Sequence, residues 1–407
     1  MLFRSYEDVH DMVNKYHDTT FYLICSNIKD FKFINEIFGM EKGNQVLIKQ
    51  AKLMASNPSE RTICARLMND RFALCLPREE FDEKRVADSI KELQREFSGN
   101  SFHLHTYMGV YEIRDRDEAV SIMVDKANIA ADTIKNNYDC CVAYYDEHLL
   151  EISIEQRRLL GEFEPALQND EFVMYLQPQV KRDGAAKGAE ALVRWVHPSR
   201  GILTPYAFID ILENAGLIYK LDLYIWEKAA QKLAEWKEKG YGSYHISVNI
   251  STKDFYIIDI YETFTGLINK YGIAASNLHL EITETTLMTD FEKNMNIIHK
   301  LQGVGFRVEI DDFGSGYSSL NMLKDISADV LKIDMGFLRK SENEVKGQDI
   351  LESIITLAGK IGMDVITEGV ETKKQLDMLT MMGCHEFQGY YFSKPVPVSE
   401  FEEKYLV

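Results

Sequence analysis

Nine polar residues stand at or near the ends of short apolar runs in the second half of this chain: Gln177, Glu190, Asn249, Glu281, Asp311 with Asp312, Lys332, Glu368 and Gln388. Five of the nine are carboxylates. Singly, each has an ordinary structural account. Asp311-Asp312 ahead of Phe-Gly-Ser-Gly can cap a turn or helix. Asn249 and Glu281 can be solvated strand ends, Lys332 can be a salt-bridged surface lysine, and Gln388-Gly389 can open a bulge. Together they resist that account, because five acids around one site without cations repel each other strongly. A pair of divalent metal ions removes the difficulty. Ligands that are all oxygen, with no His or Cys among them, select hard ions such as Mg²⁺ or Mn²⁺ over zinc. Adjacent acids at one strand end suit two metals about 3.5–4 Å apart, which generate hydroxide near neutral pH and stabilise both oxygens of an in-line phosphoryl displacement. The chemistry this set points to is metal-assisted phosphoester hydrolysis.

Collecting these residues in one place requires strands that end on a common rim. From Glu171 onward eight β-type runs can be counted, at 172–180, 188–196, 244–251, 279–284, 307–312, 330–335, 364–368 and 386–392. Amphipathic stretches at 221–239, 289–303, 347–361 and 372–382 separate several of them. Strands alternating with helices predict parallel pairing and right-handed crossovers. Eight such units fit a closed (β/α)₈ barrel, which takes about 250 residues and presents its active face at the carboxyl ends of its strands. The second repeat carries two helices before the next strand.

Residues 1–150 read as an α+β domain, so the whole chain is α/β in class. A helix at 5–17 leads to a strand at 21–28, and a helical run at 31–55 is broken by Phe38-Gly39. Strand signals follow at 62–67 and 71–76, then near 101–112; 116–136 is helical and 140–145 is a last strand. Residues 151–168 suit a helical connector, which leaves 169–407 for the barrel.

With 46 Lys+Arg against 64 Asp+Glu the formal charge is −18, which argues against nucleic acid as a partner, since nonspecific affinity for a polyanion comes from a basic surplus. The charge is no objection to an anionic substrate, because bound ions invert the local field. Hydrophobic residues make up 45% and charged residues 27%, a globular composition. No apolar stretch approaches the roughly 20 residues that span a bilayer. Six cysteines without a CxxC pair form neither a disulfide framework nor a zinc site. The expectation is a cytoplasmic protein with reduced thiols and no membrane association.

The motifs Gln177-Pro178, Glu190-Ala191-Leu192-Val193-Arg194-Trp195, Val248-Asn249-Ile250-Ser251, Glu281-Ile282-Thr283-Glu284, Asp311-Asp312-Phe313-Gly314-Ser315-Gly316-Tyr317, Lys332-Ile333-Asp334, Glu368-Gly369-Val370-Glu371 and Gln388-Gly389-Tyr390 occur in this order. In these, residues 160–405 closely resemble the EAL-domain cyclic di-GMP phosphodiesterases. The resemblance implies hydrolysis of one phosphodiester bond of cyclic di-GMP to linear pGpG. Carried over by position, Glu190, Asn249, Glu281 and Asp311 resemble ligands of a first Mg²⁺ or Mn²⁺, with Asp311, Asp312 and Glu368 on a second. Lys332 is then the residue that touches the attacking water, and with Glu190, Asp311 and Glu368 it makes up the expected catalytic set. Arg194 resembles the residue that grips a substrate phosphate, and Gln177, Leu192, Glu371 and Gln388 line substrate. Glu284 resembles the anchor of a mobile loop through Gly314, Ser315 and Gly316 that couples dimerisation to the metals, so a homodimer is expected. Gln179, Asp210, Thr367 and Ser315 depart from the family pattern, and none removes a ligand. The alternative reading is a non-catalytic cyclic di-GMP receptor acting through a protein partner.

Residues 20–147 resemble a degenerate GGDEF, or diguanylate cyclase, domain. Its signature loop reads Arg66-Leu67-Met68-Asn69-Asp70-Arg71-Phe72, with both glycines replaced and the catalytic acid become Arg71. The two metal-approaching aspartates correspond to Asn27 and Lys29. A lysine cannot hold metal against a triphosphate, so no cyclase activity is expected. Lys32, Asn35, Phe38-Gly39 and Gly43 persist on the nucleotide side, with Asn44 for an aspartate. Two readings stay open for this domain, a scaffold that sets dimer geometry and an allosteric GTP sensor.

Overall fold

The computed structural model describes residues 6–29, 31–55, 59–97, 104–135, 137, 140–313, 326–334 and 344–406. Contacts divide the chain into two compact units, residues 1–157 and 158–407.

In the first unit, α1 (Tyr6–Lys15), β1 (Phe21–Ile28), α2 (Phe31–Met54), β2 (Ile63–Arg66), β3 (Phe72–Pro77), α3 (Glu83–Phe97), β4 (Thr106–Glu112), α4 (Val120–Thr133) and β5 (Val142–Tyr144) follow one another. The sheet order is β2-β3-β1-β4-β5, with β1 antiparallel to β3 and β4. Alternate side chains of β1 explain the layering. Phe21, Leu23 and Cys25 pack with α1 and α4 residues Val9, Met12, Val13, Met123 and Val124. Tyr22, Ile24 and Ile28 pack with α2 and α3 residues Ile34, Val46, Leu47, Ile90 and Leu93. The expected break in α2 falls at Gly39, whose φ of 81° lies outside the helical region. The sequence reading left out α3, although Val86, Ile90, Leu93 and Phe97 have helical spacing.

Helix α5 (Glu147–Gln168) contains all of the expected connector and carries the chain into the second unit. There β6 (Phe172–Lys181), β7 (Ala186–His197), β8 (Gly201–Leu203), α6 (Ile209–Ala215), α7 (Ile218–Glu238), β9 (His245–Ile250), α8 (Asp254–Ile257), α9 (Ile260–Tyr271), β10 (Leu278–Thr283), α10 (Glu284–Thr289), α11 (Phe291–Val304) and β11 (Val308–Phe313) lead on. They are followed by β12 (Val330–Asp334), α12 (Glu344–Lys360), β13 (Asp364–Glu368), α13 (Lys373–Met381), β14 (Glu386–Phe387), β15 (Val396–Pro397) and α14 (Val398–Tyr405). The order β6-β14-β13-β12-β11-β10-β9-β7 closes on itself through the β6–β7 pairing, making an eight-stranded barrel of α/β class. Strands β8 and β15 add short antiparallel pairings to β7 and β6 respectively.

One feature of the expected barrel is corrected. The strand β6 runs antiparallel to both neighbours, β7 and β14, rather than parallel. A short turn with Gly184 at φ 86° joins β6 to β7 directly, so the first repeat has no helix and its two strands form a hairpin. Gln177 therefore faces Glu190 across a strand pair in mid-strand, and neither residue terminates its strand. The core lies between the strands and the surrounding helices, with Trp195, Trp226, Trp236, Phe172, Phe264 and Phe401 almost fully buried. Among the described residues no helix is long and apolar enough to cross a membrane.

Candidate active site

In β12 the flanking Leu331 and Ile333 face the helices and are buried in the apolar core, which turns Lys332 toward the barrel interior. The side chain is 1% exposed. The Lys332 ammonium sits among four carboxylates: Nζ is 2.7 Å from Glu281 Oε2, 2.7 Å from Glu368 Oε1, 3.4 Å from Glu190 Oε2 and 3.5 Å from Asp311 Oδ1. These five residues come from five strands, β7, β10, β11, β12 and β13, and converge because each takes the inward position of its pleat.

Neutral side chains complete the cluster. Asn249 Nδ2 donates to Glu190 Oε1 at 3.0 Å, and Asn249 itself is exposed at the open mouth. Gln388, just past β14, donates through Nε2 to Glu190 Oε2 and, at 3.3 Å, to Gln177 Oε1. Gln177 in turn donates to the Ser393 carbonyl. The predicted residues Glu190, Asn249, Glu281, Asp311, Lys332, Glu368, Gln177 and Gln388 are thus one connected set.

The charges are out of balance. Four carboxylates share one ammonium, and burial raises Glu281 well above the usual carboxylate range, with Glu190's charge adding to it. Glu368 is pushed up to about 8, first by burial and then by Asp311, against the pull of Lys332. Burial also opposes the Glu190 charge, but Lys332 and the hydrogen bonds from Gln388 and Asn249 outweigh it and hold its pKa below normal. The four acids raise Lys332 despite its burial, so it stays cationic. Glu281 Oε1 is buried with no hydrogen-bond partner, a costly state for a carboxylate oxygen. An oxygen-only donor set with surplus negative charge and an orphaned oxygen fits hard divalent cations.

Other predicted residues flank the cluster. Arg194 is half-buried, stacked over the Tyr175 ring at 5.5 Å, and donates to the Val193 carbonyl. Leu192 and Asn249 line a cavity of about 250 Å³ beside the acids. Glu284 is buried at the start of α10, which packs against the strand bearing Asp311. Glu371 lies outside the cluster, exposed between β13 and α13. Asp312 is in β11, but its side chain, with Gly314, Ser315 and Gly316, lies outside the described residues.

The cavity beside Leu192 also holds an acid that the sequence reading missed. Asp222 of α7 lines it together with Glu213, Trp226 and Thr283. Burial, then the charge of neighbouring Asp254, raises Asp222 well above an ordinary aspartate. The signal was an acid within the apolar run Leu221-Asp222-Leu223-Tyr224-Ile225-Trp226 of an amphipathic helix.

In the first unit, the turn between β2 and β3 is closed by backbone bonds between Leu67 and Arg71 and between Arg71 and Met68, with Asn69 at φ 53°. The Asp70 carboxylate accepts the Ile28 N–H at 3.3 Å, and Asn27 donates to the Tyr107 hydroxyl at 3.2 Å. Met68 is exposed.

Comparison with known proteins follows the same division. Residues 161–395 match the EAL domain model, and residues 3–139 match the model of the diguanylate cyclase, GGDEF domain. The bifunctional diguanylate cyclase/cyclic di-GMP phosphodiesterase MucR of Pseudomonas aeruginosa is 30% identical over 94% of this chain and 57% of its own. The cyclic di-GMP phosphodiesterase NbdA of the same organism is 28% identical over 93% of this chain and 49% of its own. The chain spans about half the length of the curated relatives it matches. Among solved structures, the PaMucR phosphodiesterase in complex with c-di-GMP is similar, with 33% identity and a TM-score of 0.57 over 60% of this chain and 99% of that one. With a barrel matched over residues 161–395 and an α+β unit matched ahead of it, this chain belongs to the EAL domain family and carries a GGDEF domain in tandem.

Proposed function

We propose that this protein hydrolyses cyclic di-GMP to linear pGpG at the carboxylate cluster around Lys332, and that its GGDEF domain is catalytically inactive and serves regulation or dimerisation. One observation carries the reading most: four acids and an asparagine from separate strands converge on one buried lysine, with charge to spare for cations. The similar PaMucR phosphodiesterase, solved in complex with c-di-GMP, supports the substrate.

Glu190, Asn249, Glu281 and Asp311 would hold one Mg²⁺ or Mn²⁺, and Asp311, Asp312 and Glu368 a second. Bound there, the two ions supply Lewis acidity toward water and toward the charge that grows on phosphorus-bound oxygens. The protein's own groups do the rest. Lys332 keeps its proton and donates to the attacking water, holding one lone pair toward phosphorus. Arg194 offers a guanidinium fork to the non-bridging phosphate oxygens, and its stacking on Tyr175 limits its rotation. Gln388 and Gln177 fix the Glu190 carboxylate against rotation. Asp222 gives the cavity beside Leu192 an acceptor for the N–H edge of a guanine base. The water oxygen bonds to phosphorus as the P–O3′ bond breaks, and the proton ends on the 3′ oxygen.

In the GGDEF domain, Asn27 and Lys29 replace the acids a cyclase needs, and Arg71 stands where the signature has an acid. GTP is the ligand that Lys32, Asn35 and Gly43 would accept if the domain acts as a sensor. The deciding experiment incubates purified protein with cyclic di-GMP and Mg²⁺ or Mn²⁺ and separates products by ion-pair chromatography. Appearance of pGpG, lost in Glu190→Ala, is the expected result. Tight binding with no product overturns catalysis in favour of a receptor.

A further inference from the structure

The amino end of the barrel carries a second set of donors, of a different chemistry. His245 opens β9, His279 is the second residue of β10 and Glu309 the second of β11. All three side chains are buried, Glu309 at 0% exposure. His279 lies two residues before Glu281 on the same strand, and Glu309 two before Asp311, so this layer sits beneath the acid cluster by about 6–7 Å of strand rise.

The geometry is close. One donor atom from each of His245, His279 and Glu309 lies within 4.8 Å of the others. His279 Nδ1 is 2.6 Å from Glu309 Oε1, and His245 Nε2 is 2.7 Å from Gln179 Oε1. The two imidazoles stack 3.8 Å apart with 5° between their planes. Glu309 Oε2, though fully buried, has no hydrogen-bond partner. A satisfied hydrogen-bond network would not strand half of a carboxylate in this way.

Room and access are also present. A Cβ at Gly188 would fall 2.4 Å from the His245 ring, so the imidazole occupies space that only glycine leaves there. A cavity of about 460 Å³ touches all three donors and reaches residues at the barrel's foot, among them Lys187 and Arg307. Those two cations have ion-pair partners of their own, Lys187 with Glu386 and Arg307 with Asp364, and neither makes an ion pair with Glu309.

We propose that His245, His279 and Glu309 form a second metal site, specific for a borderline ion such as Zn²⁺ and separate from the hard-ion site above it. Two imidazoles and a carboxylate with a fourth position open to a cavity are a zinc donor set, whereas Mg²⁺ avoids nitrogen. The ion takes the place of the proton between His279 Nδ1 and Glu309 Oε1 and gives Oε2 its missing partner. The stacked rings must turn to aim two lone pairs at one centre with bonds of about 2.0–2.2 Å. Gln179 stays as the hydrogen-bond partner that orients His245, the usual arrangement for a metal-bound histidine.

Cobalt reports coordination directly, since Co²⁺ in a tetrahedral site absorbs intensely in the visible and octahedral Co²⁺ on oxygen ligands is pale. Titrating the full chain with Co²⁺ in excess Mg²⁺ should give an intense band that saturates at a single equivalent. The band should disappear in His279→Gln and persist in Asp311→Asn. A wild-type protein without the band, or a band lost in Asp311→Asn and kept in His279→Gln, overturns the site. Should His279→Gln fail to fold, wild-type crystals soaked in Zn²⁺ decide by anomalous scattering. A peak among His245, His279 and Glu309 supports the proposal, and a peak only at the carboxyl end, or none, overturns it.

Discussion

Lys332 Nζ and Glu281 Oε2 meet 2.7 Å apart with both side chains sealed from solvent, while the second oxygen of that carboxylate has no partner. The lysine is thus the internal counter-ion of an over-charged cluster.

Removing that counter-ion should cost stability. In EDTA, Lys332→Met should lose about 3–5 kcal/mol, the usual result of stripping one partner from a buried ion pair. Mg²⁺ should restore more stability to the variant than to the parent, because the variant's acids repel without relief. Urea unfolding with and without Mg²⁺ measures both; a variant as stable as its parent in EDTA would refute the counter-ion role.

Turnover should depend on the acids and on the cations together. Glu190→Ala and Asp311→Ala should each reduce pGpG formation by orders of magnitude, and EDTA should abolish it reversibly. Near-normal turnover in Asp311→Ala would discredit the two-metal assignment.

Arg194→Lys tests the fork. A lysine keeps the charge but not the paired N–H geometry. A lost charge-assisted hydrogen bond of about 1.5–3 kcal/mol corresponds to roughly ten- to hundredfold in kcat/KM. Steady-state kinetics showing an unchanged ratio would remove Arg194 from the substrate contacts.

The Asp222 carboxyl sets a pH dependence. Its folded-state pKa lies above the ordinary 3.8, so above that pH the native protein binds more protons than the unfolded chain. Its contribution to stability is therefore lost as pH rises from about 4 toward the raised folded value. Asp222→Asn carries no such charge. The variant's melting temperature should gain on the parent's as pH goes from about 4 to 7; a constant difference would show that Asp222 titrates normally.

The GGDEF domain should make no cyclic di-GMP from GTP. Arg71→Ala should leave hydrolysis at the barrel within a small factor. A large loss, measured under the same chromatography, would show that the turn from Arg66 to Phe72 is coupled to the chemistry of the barrel.

Most strands of the barrel were legible because each is a short apolar run, and the convergence of Glu190, Glu281, Asp311, Lys332 and Glu368 follows once those runs are wrapped into a ring. Their depth was not legible. Lys332 reads as a break in Val330-Leu331-Lys332-Ile333, and only the pleat decides that the break points inward. The reversed direction of β6 had a signal in Asp183-Gly184, a hairpin turn pair that outweighs the prior for helical crossovers. The stacking of His245 on His279 had none, since it arises between neighbouring strands whose register sets His279 beside Ser247. Asp222 escaped because a lone acid in an apolar helix is usually solvated.

The link between β14 and β6 consists of two register pairs, Glu386↔Lys181 and Phe387↔Val180, joining residues some two hundred positions apart in the chain. With the equally short β13–β14 pairing it forms the narrowest part of the ring, and both links wait until β14 has been made. Gln388, the next residue, reaches Glu190 only after this link has formed. A ribosome-bound chain halted before β14 already contains the lysine, its acids and Asn249 but lacks the second of the two amides that steady Glu190, so the cluster is complete only once β14 has been made.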